Sequence, residues 1–172
     1  NLYISFLAPG EVYDKIIVID PVGGGDEKGI FTETQAEKDI ALEIARKLKV
    51  KLDESDIKAY YTRMDDVNSR EEDRIALGNE TKADMYIRIE VNEAKDTGVY
   101  GITAVYNGDY FIPSFGNIEL ADCLEREVTT SVKGKALGLV SAGEKDVVLE
   151  KLTVPAATIK VGYLRNSQEA IL

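Results

Sequence analysis

Apolar and polar positions alternate along this chain in two rhythms. Ile16–Asp20 is a run of β-branched residues ending at Pro21, which predicts a strand. Gln35–Lys49 sets Ile40, Ala41, Ile44, Ala45 and Leu48 at helical spacing, with Thr32 or Thr34 as the expected cap. Ile57–Thr62 predicts a second strand. Ser69–Asn79 predicts a short helix, with Ser69 as N-cap and Glu72 three residues on. Met85–Glu90 and Tyr100–Tyr106 predict two more strands, followed by a turn-rich loop over Tyr106–Asn117. Ile118–Val132 carries Leu120, Ala121, Leu124 and Val128 on one helical face, and Ala157–Val161 predicts a closing strand behind Pro155. The closing "SQEAIL" predicts the start of a terminal helix.

The β-α-β-α-β order predicts an α/β fold: a single domain with a largely parallel central sheet and helices on both faces. Residues 1–14 are expected to form a lead-in segment able to pair at a sheet edge, and residues 15–172 the domain. The chain starts at Asn1, which reads as an excised or processed piece.

Charge narrows the partners. With 31 acidic against 21 basic residues the net charge is −10, which repels nucleic acid at long range. No apolar run approaches the roughly 18 residues of a membrane span. Cys123 stands alone, so no internal disulfide can form; its place in an apolar helical pattern predicts a buried, inert thiol. The chain has no histidine. That removes the commonest zinc ligand and rules out a Ser-His-Asp or Cys-His mechanism within the chain.

Sites in open α/β sheets form at the carboxyl ends of strands. Asp20, Val22, Glu90 and Lys160 fall at or just after such ends, and Glu37 lies in the first turn of the helix after the glycine loop. That loop, "PVGGGDEKG", lacks both G-x-G-x-x-G and G-x-x-x-x-G-K-[ST], and Asp26 and Glu27 would repel a phosphate. Its glycines therefore predict a loop of special backbone shape.

Four segments, "KIIVIDPVGGGDEKG", "QAEKDIALEIARKL", "YYTRMDDVNSREEDRIALGNETKADMYIRIEVNEA" and "VPAATIKVGYLRNSQEAIL", together resemble the zinc-dependent N-acetylmuramoyl-L-alanine amidases of the type 3 class. These enzymes cut the bond between muramic acid and the stem peptide of bacterial peptidoglycan. The resemblance implies three zinc ligands and a glutamate acting as general base on the zinc-bound water. Carried onto this chain, the ligand positions are 22, 37 and 90, and the base position is 160. The family's histidine at 22 is here Val22, the ligand Glu37 is retained, the second histidine is Glu90, and the catalytic glutamate is Lys160. No catalytic residue and no cofactor is therefore expected, zinc being lost.

Removal of the metal would leave Glu37 without a counter-charge, and an uncompensated buried carboxylate costs several kcal/mol. Lys160 is expected to bridge Glu37 and Glu90 as an ion-pair network in place of zinc, with Val22 filling the vacated ligand's volume. A rival is an oxygen-only site for Ca²⁺ or Mg²⁺ built from Asp20, Asp26, Glu37 and Glu90. Arg74 and Asn79 are expected to make helix-to-loop hydrogen bonds. Asp65 and Asp66 are expected in a turn, with Arg63 in a local ion pair. Tyr106, Tyr110 and Phe111 could stack on sugar rings or pack beneath their loop, packing being favoured.

The resemblance implies a catalytically inactive amidase-like domain, extracellular or in the bacterial cell envelope, that binds peptidoglycan or regulates through a cell-envelope protein. The alternatives are a structural or protein-interaction domain without glycan binding, and an active amidase with a rearranged site.

Overall fold

In the computed structural model of the protein, the residues described are 13–143, 146–166 and 169. β1 (Lys15–Pro21), β2 (Ile57–Tyr61), β3 (Met85–Asn92), β4 (Ile102–Tyr106), β5 (Ala136–Ser141) and β6 (Ala156–Tyr163) form one sheet in the order β2-β1-β3-β6-β4-β5. Four of its strand pairs are parallel, and β4 runs antiparallel to β6. The expected α/β, largely parallel architecture is therefore the one observed.

The helices are α1 (Glu37–Leu52), α2 (Glu71–Glu80), α3 (Asn117–Val132) and α4 (Val147–Lys151). Strand alternation sends residues to two cores. Ile17, Ile19, Ile89, Ile102 and Ile159 pack with Ala41 and Ala45 of α1 and with Leu120 and Ala121 of α3. On the other face Val18, Tyr86 and Ala156 pack with Val148 and Leu149 of α4, with Ile75 and Leu77 of α2 against them. Near the carboxyl ends of the strands this second face turns polar, at Asp20, Arg88, Glu90, Thr158 and Lys160.

Several local expectations are corrected. The N-cap of α1 is Ala36, with no side-chain cap. Thr32 instead folds a tight turn just ahead, its hydroxyl accepting from the Gln35 amide at 3.1 Å. The N-cap of α2 is Arg70 rather than Ser69, again with no side-chain cap. Cys123 is half-buried. Two elements carried too little periodicity to be seen: β5 is six residues interrupted by Gly138, and α4 is five residues long. Asp146 does signal α4, since its carboxylate accepts from the Leu149 amide at 3.1 Å. The expected terminal helix and nearly all of the lead-in segment lie outside the described residues.

Candidate functional site

The loop after β1 is shaped from outside itself. Gly23, Gly24 and Gly25 all take positive φ, at +65°, +123° and +57°. That turn leaves the carbonyls of Pro21, Val22 and Gly23 facing two arginines. Arg63, from the end of β2, donates to the Pro21 carbonyl at 3.0 Å and the Val22 carbonyl at 2.6 Å, and also to the Lys38 carbonyl at 2.7 Å. Arg74, from α2, donates to Pro21 at 3.1 Å and Gly23 at 2.8 Å. The Arg74 Nη1 that reaches Pro21 also pairs with the fully buried Asp20 carboxylate, which accepts in addition from the Thr62 hydroxyl at 2.6 Å.

The expected helix-to-loop role of Arg74 is met, and Asn79 ties α2 to the Lys151 carbonyl and the Thr153 amide. The expected local ion pair of Arg63 is not: its partners are backbone carbonyls, and it touches Asp65 only at the main chain. Burial and the neighbouring Arg74 pull the Arg63 guanidinium below its ordinary value.

The loop amides are equally engaged. Gly24 and Glu27 exchange backbone bonds, Gly25 donates to Asp66 at 2.7 Å, and Asp26 donates to Asn68 at 2.9 Å. Lys38 clamps Asp66 and the Gly25 carbonyl. The amides of Gly24, Gly25, Asp26 and Glu27 are thus all committed within the protein.

Val22 sits at the tip of β1, 5% exposed, as part of the apolar core under α1. Beside it Glu37 is buried at the first turn of α1. Its two carboxylate oxygens accept the Ile30 amide at 3.0 Å and the Val91 amide at 2.8 Å. Gly29 permits this approach, because a Cβ there would collide with the Glu37 carboxylate. Burial raises the Glu37 carboxyl above the ordinary carboxylate range, against the two amides that favour its charged form.

Glu90 and Lys160 are register partners across β3 and β6, and their charged groups lie 3.2 Å apart. The expected three-way bridge is thus resolved into two arrangements. Lys160 pairs with Glu90, while Glu37 is held by amides, with Lys160 acting on it only through the longer-range field.

Arg88 is the charged group that the sequence pattern did not bring forward. It lies two register rows below the Glu90–Lys160 pair, on the same face of the sheet, with Asp20 on one side and Thr158 on the other. Its guanidinium is 3.2 Å from Glu90, 3.2 Å from Asp146 and 3.7 Å from Asp20. Burial draws Arg88 down, and these three carboxylates outweigh that pull and leave it above its ordinary value. The signal available in sequence was its alternation with Glu90 on a strand whose intervening residues are apolar.

Together Glu71, Arg88, Glu90, Asp146 and Lys160 line an open cleft of about 400 Å³, with Val140 at its far wall. The cleft offers charged hydrogen-bonding groups of both signs to a polar ligand. It gathers neither of the expected oxygen-only ligands from the β1 side: Asp20 is turned to Arg74, and Asp26 lies on the exposed loop with Asn68. Among the described residues, no three His, Cys, Asp or Glu side chains converge as metal ligands. Of the loop aromatics, Tyr106 packs against the core, whereas Tyr110 and Phe111 are exposed, Phe111 by 83%. The packing expected beneath the loop therefore holds for Tyr106 and fails for Phe111.

The closing segment is structural. Asn166 donates to the Thr97 and Val99 carbonyls, and Glu169 accepts the Gly101 and Tyr163 amides, at 2.8 Å each. These bonds stitch the strand after the site to the loop before β4.

Residues 17–172 match the N-acetylmuramoyl-L-alanine amidase family. The chain is 28% identical over 173 residues to a germination-specific N-acetylmuramoyl-L-alanine amidase of Bacillus subtilis, covering 92% of this chain and 70% of that protein. It is 30% identical over 155 residues to a probable cell wall amidase, LytH, of Staphylococcus aureus, covering 88% of this chain and 49% of that protein. The chain thus spans about half the length of the latter. Among solved structures it resembles an N-acetylmuramoyl-L-alanine amidase from Clostridium difficile 630, with a TM-score of 0.82 and 32% identity over 91% of this chain and 84% of that one. The catalytic domain of an amidase from Bacillus (Paenibacillus) polymyxa shares the fold at a TM-score of 0.81 and 22% identity, over 91% of this chain and 85% of that one.

Proposed function

Because this chain belongs to the N-acetylmuramoyl-L-alanine amidase family, we propose that it is a catalytically inactive amidase-like domain of the bacterial cell envelope, which holds peptidoglycan or regulates an envelope partner without cutting the amide. The observation that carries this is the Lys160–Glu90 ion pair at 3.2 Å. Amidase chemistry calls at these positions for a general base and a metal ligand, and this chain supplies a cation and its counter-ion.

The remaining donors do not fit a catalytic zinc either. Such a site keeps three protein ligands and one open position. Val22 has no donor atom and is sunk in the core, and the Glu37 oxygens are taken by the Ile30 and Val91 amides. The family relatives are named as amidases, so the reading rests on these four positions and not on the fold.

What the cleft retains is the capacity to bind. Arg88 and Lys160 can meet carboxylates, and Glu71 and Asp146 can meet amines or hydroxyls, which suits the mixed polarity of a glycopeptide. Localisation at the cell envelope follows the curated cell wall relatives; no helix among the described residues is long and apolar enough to cross a membrane.

The test is incubation of the chain with purified, insoluble peptidoglycan, with and without added zinc. The expected result is retention of the chain on the pellet with no release of stem peptide. Zinc-dependent release would overturn the inactive assignment. Absence of both release and retention would favour a protein-interaction domain that no longer holds glycan, a role compatible with the net charge of −10, which anionic wall polymers repel.

A further inference from the structure

The exposed aromatic rings of this chain fall into two groups. Phe31 and Tyr100 each lie under a lysine of the chain itself, Lys28 at 5.7 Å and Lys135 at 5.4 Å from the ring centres. Tyr110, Phe111 and Phe115, on the loop between β4 and α3, are exposed as well. Among the described residues no cation covers any of these three rings. Ile118, at the start of α3, adds a fourth exposed apolar side chain.

The loop is pinned where it presents them. Asn117, itself buried, donates to the Asn107 carbonyl at 3.0 Å and the Tyr110 carbonyl at 3.1 Å. The Phe115 amide donates to the Pro113 carbonyl at 3.1 Å. A loop tied down in this way has little left to order when a partner arrives.

Charge around the rings has one sign. Between Asn107 and Glu125 the charged residues are Asp109, Glu119, Asp122 and Glu125, all acidic. Tyr110 also borders a cavity of about 220 Å³ whose wall holds Asp109, Asp146 and Glu150 and no basic residue. Among the described residues the Asp109 and Glu150 carboxylates have neither an ion pair nor a hydrogen bond. Asp146 commits its Oδ1 to Arg88 and to the Leu149 amide, and its Oδ2 has no partner among them.

We propose that this loop and the cavity beside it form a docking surface for a basic, apolar segment of a partner protein. A lysine or arginine of that segment enters the cavity against Tyr110, and its apolar residues cover Phe111, Phe115 and Ile118. Charge selects the occupant. Partnerless carboxylates beside an open ring call for a cation, which both attract. A second copy of this chain would bring the same acidic residues to the contact, and an anionic bilayer would be repelled by them. A neutral glycan stacks on rings but leaves the carboxylates without a counter-charge. The cavity shares Ala142, Gly143 and Asp146 with the cleft, so a docked segment borders it. None of these residues stands at positions 22, 37, 90 or 160, so the surface does not depend on whether the cleft holds peptidoglycan.

Fluorescence anisotropy of a labelled peptide alternating lysine and leucine, titrated with the full chain, tests this. Binding is expected at low salt and weakens as salt rises. Phe111→Ser, and separately Asp109→Asn with Glu150→Gln, are each expected to weaken it by about tenfold or more, with the wild-type circular dichroism spectrum retained. Peptides alternating glutamate with leucine, or lysine with serine, are expected to bind more weakly by a similar margin. Phe31→Ser, and Glu43→Gln with Glu54→Gln, which removes the same charge elsewhere, are expected to leave the affinity unchanged. Wild-type affinity in the folded loop and cavity variants overturns the proposal, as does an equal loss in the control variants. So does a Phe111→Ser chain that keeps its peptide affinity but no longer sediments with insoluble peptidoglycan, which would make the rings a glycan platform.

Discussion

Glu90 and Lys160 face each other across adjacent parallel strands, paired in register and joined by an ion pair at 3.2 Å. Glu90 is also 3.2 Å from Arg88, so one carboxylate serves two cations. The pair is partly exposed, which limits its worth to about 0.5–1 kcal/mol. A double-mutant cycle with Lys160→Ala and Glu90→Ala is expected to return a coupling of that size from urea unfolding. Strict additivity of the two substitutions would show that the contact carries no energy.

Glu37 gives a pH dependence whose sign is fixed by its burial. Its carboxyl titrates above the ordinary value of 4.5 in the folded chain. The folded state therefore binds this proton more tightly than the unfolded chain does. The contribution to stability is fully present below 4.5 and is lost as pH rises through the folded value. Glu37→Gln removes that titration and also one of the two amide acceptors. The stability gap between wild type and Glu37→Gln is expected to be widest in acid and to narrow as pH rises above 4.5. Denaturant midpoints measured across pH check this, and a gap that widens with pH contradicts it.

Arg74 is expected to be the most costly of the loop-holding residues to remove. Arg74→Ala strips the counter-charge from fully buried Asp20 and leaves the Pro21 and Gly23 carbonyls without this donor. A loss of about 3–5 kcal/mol is expected from the uncompensated carboxylate. Adding Asp20→Asn should recover part of it. A loss under about 1 kcal/mol in chemical unfolding would place the stabilisation of Asp20 elsewhere.

Gly24→Ala tests the loop's backbone directly. At φ +123° an added Cβ would collide with the Val67 carbonyl oxygen. A destabilisation of about 1–3 kcal/mol is expected, together with altered amide shifts at Gly25 and Asp26, whose partners Asp66 and Asn68 lie in the same stretch as Val67.

β1 to β4, β6, α1 and α3 were legible because their apolar period was strong, and α2 because polar residues suited to a helix start stand ahead of its first turn. Gly138 interrupts β5, and α4 is barely more than one turn, so neither left a period to detect. Helix caps misled for a different reason: Thr32 spends its hydroxyl on a turn, and the backbone enters α2 at Arg70. At the site, residue types at positions 22, 37, 90 and 160 were readable from the motifs. Which charge meets which was not, because that depends on register and reach. The adjacent Val91 amide satisfies Glu37 before Lys160 can, and Arg88 enters only through its place two rows below on the same face.

Arg63 and Arg74 grip the loop after β1 by its main chain, from anchors on β2 and α2. Backbone carbonyls are the same whatever side chain follows them. The curve of the loop is therefore indifferent to the identity of residue 22, and a coordinating side chain can give way to an aliphatic one without the surrounding architecture being renegotiated. A loop held by its main chain keeps one shape while the side chain at its tip is free to vary.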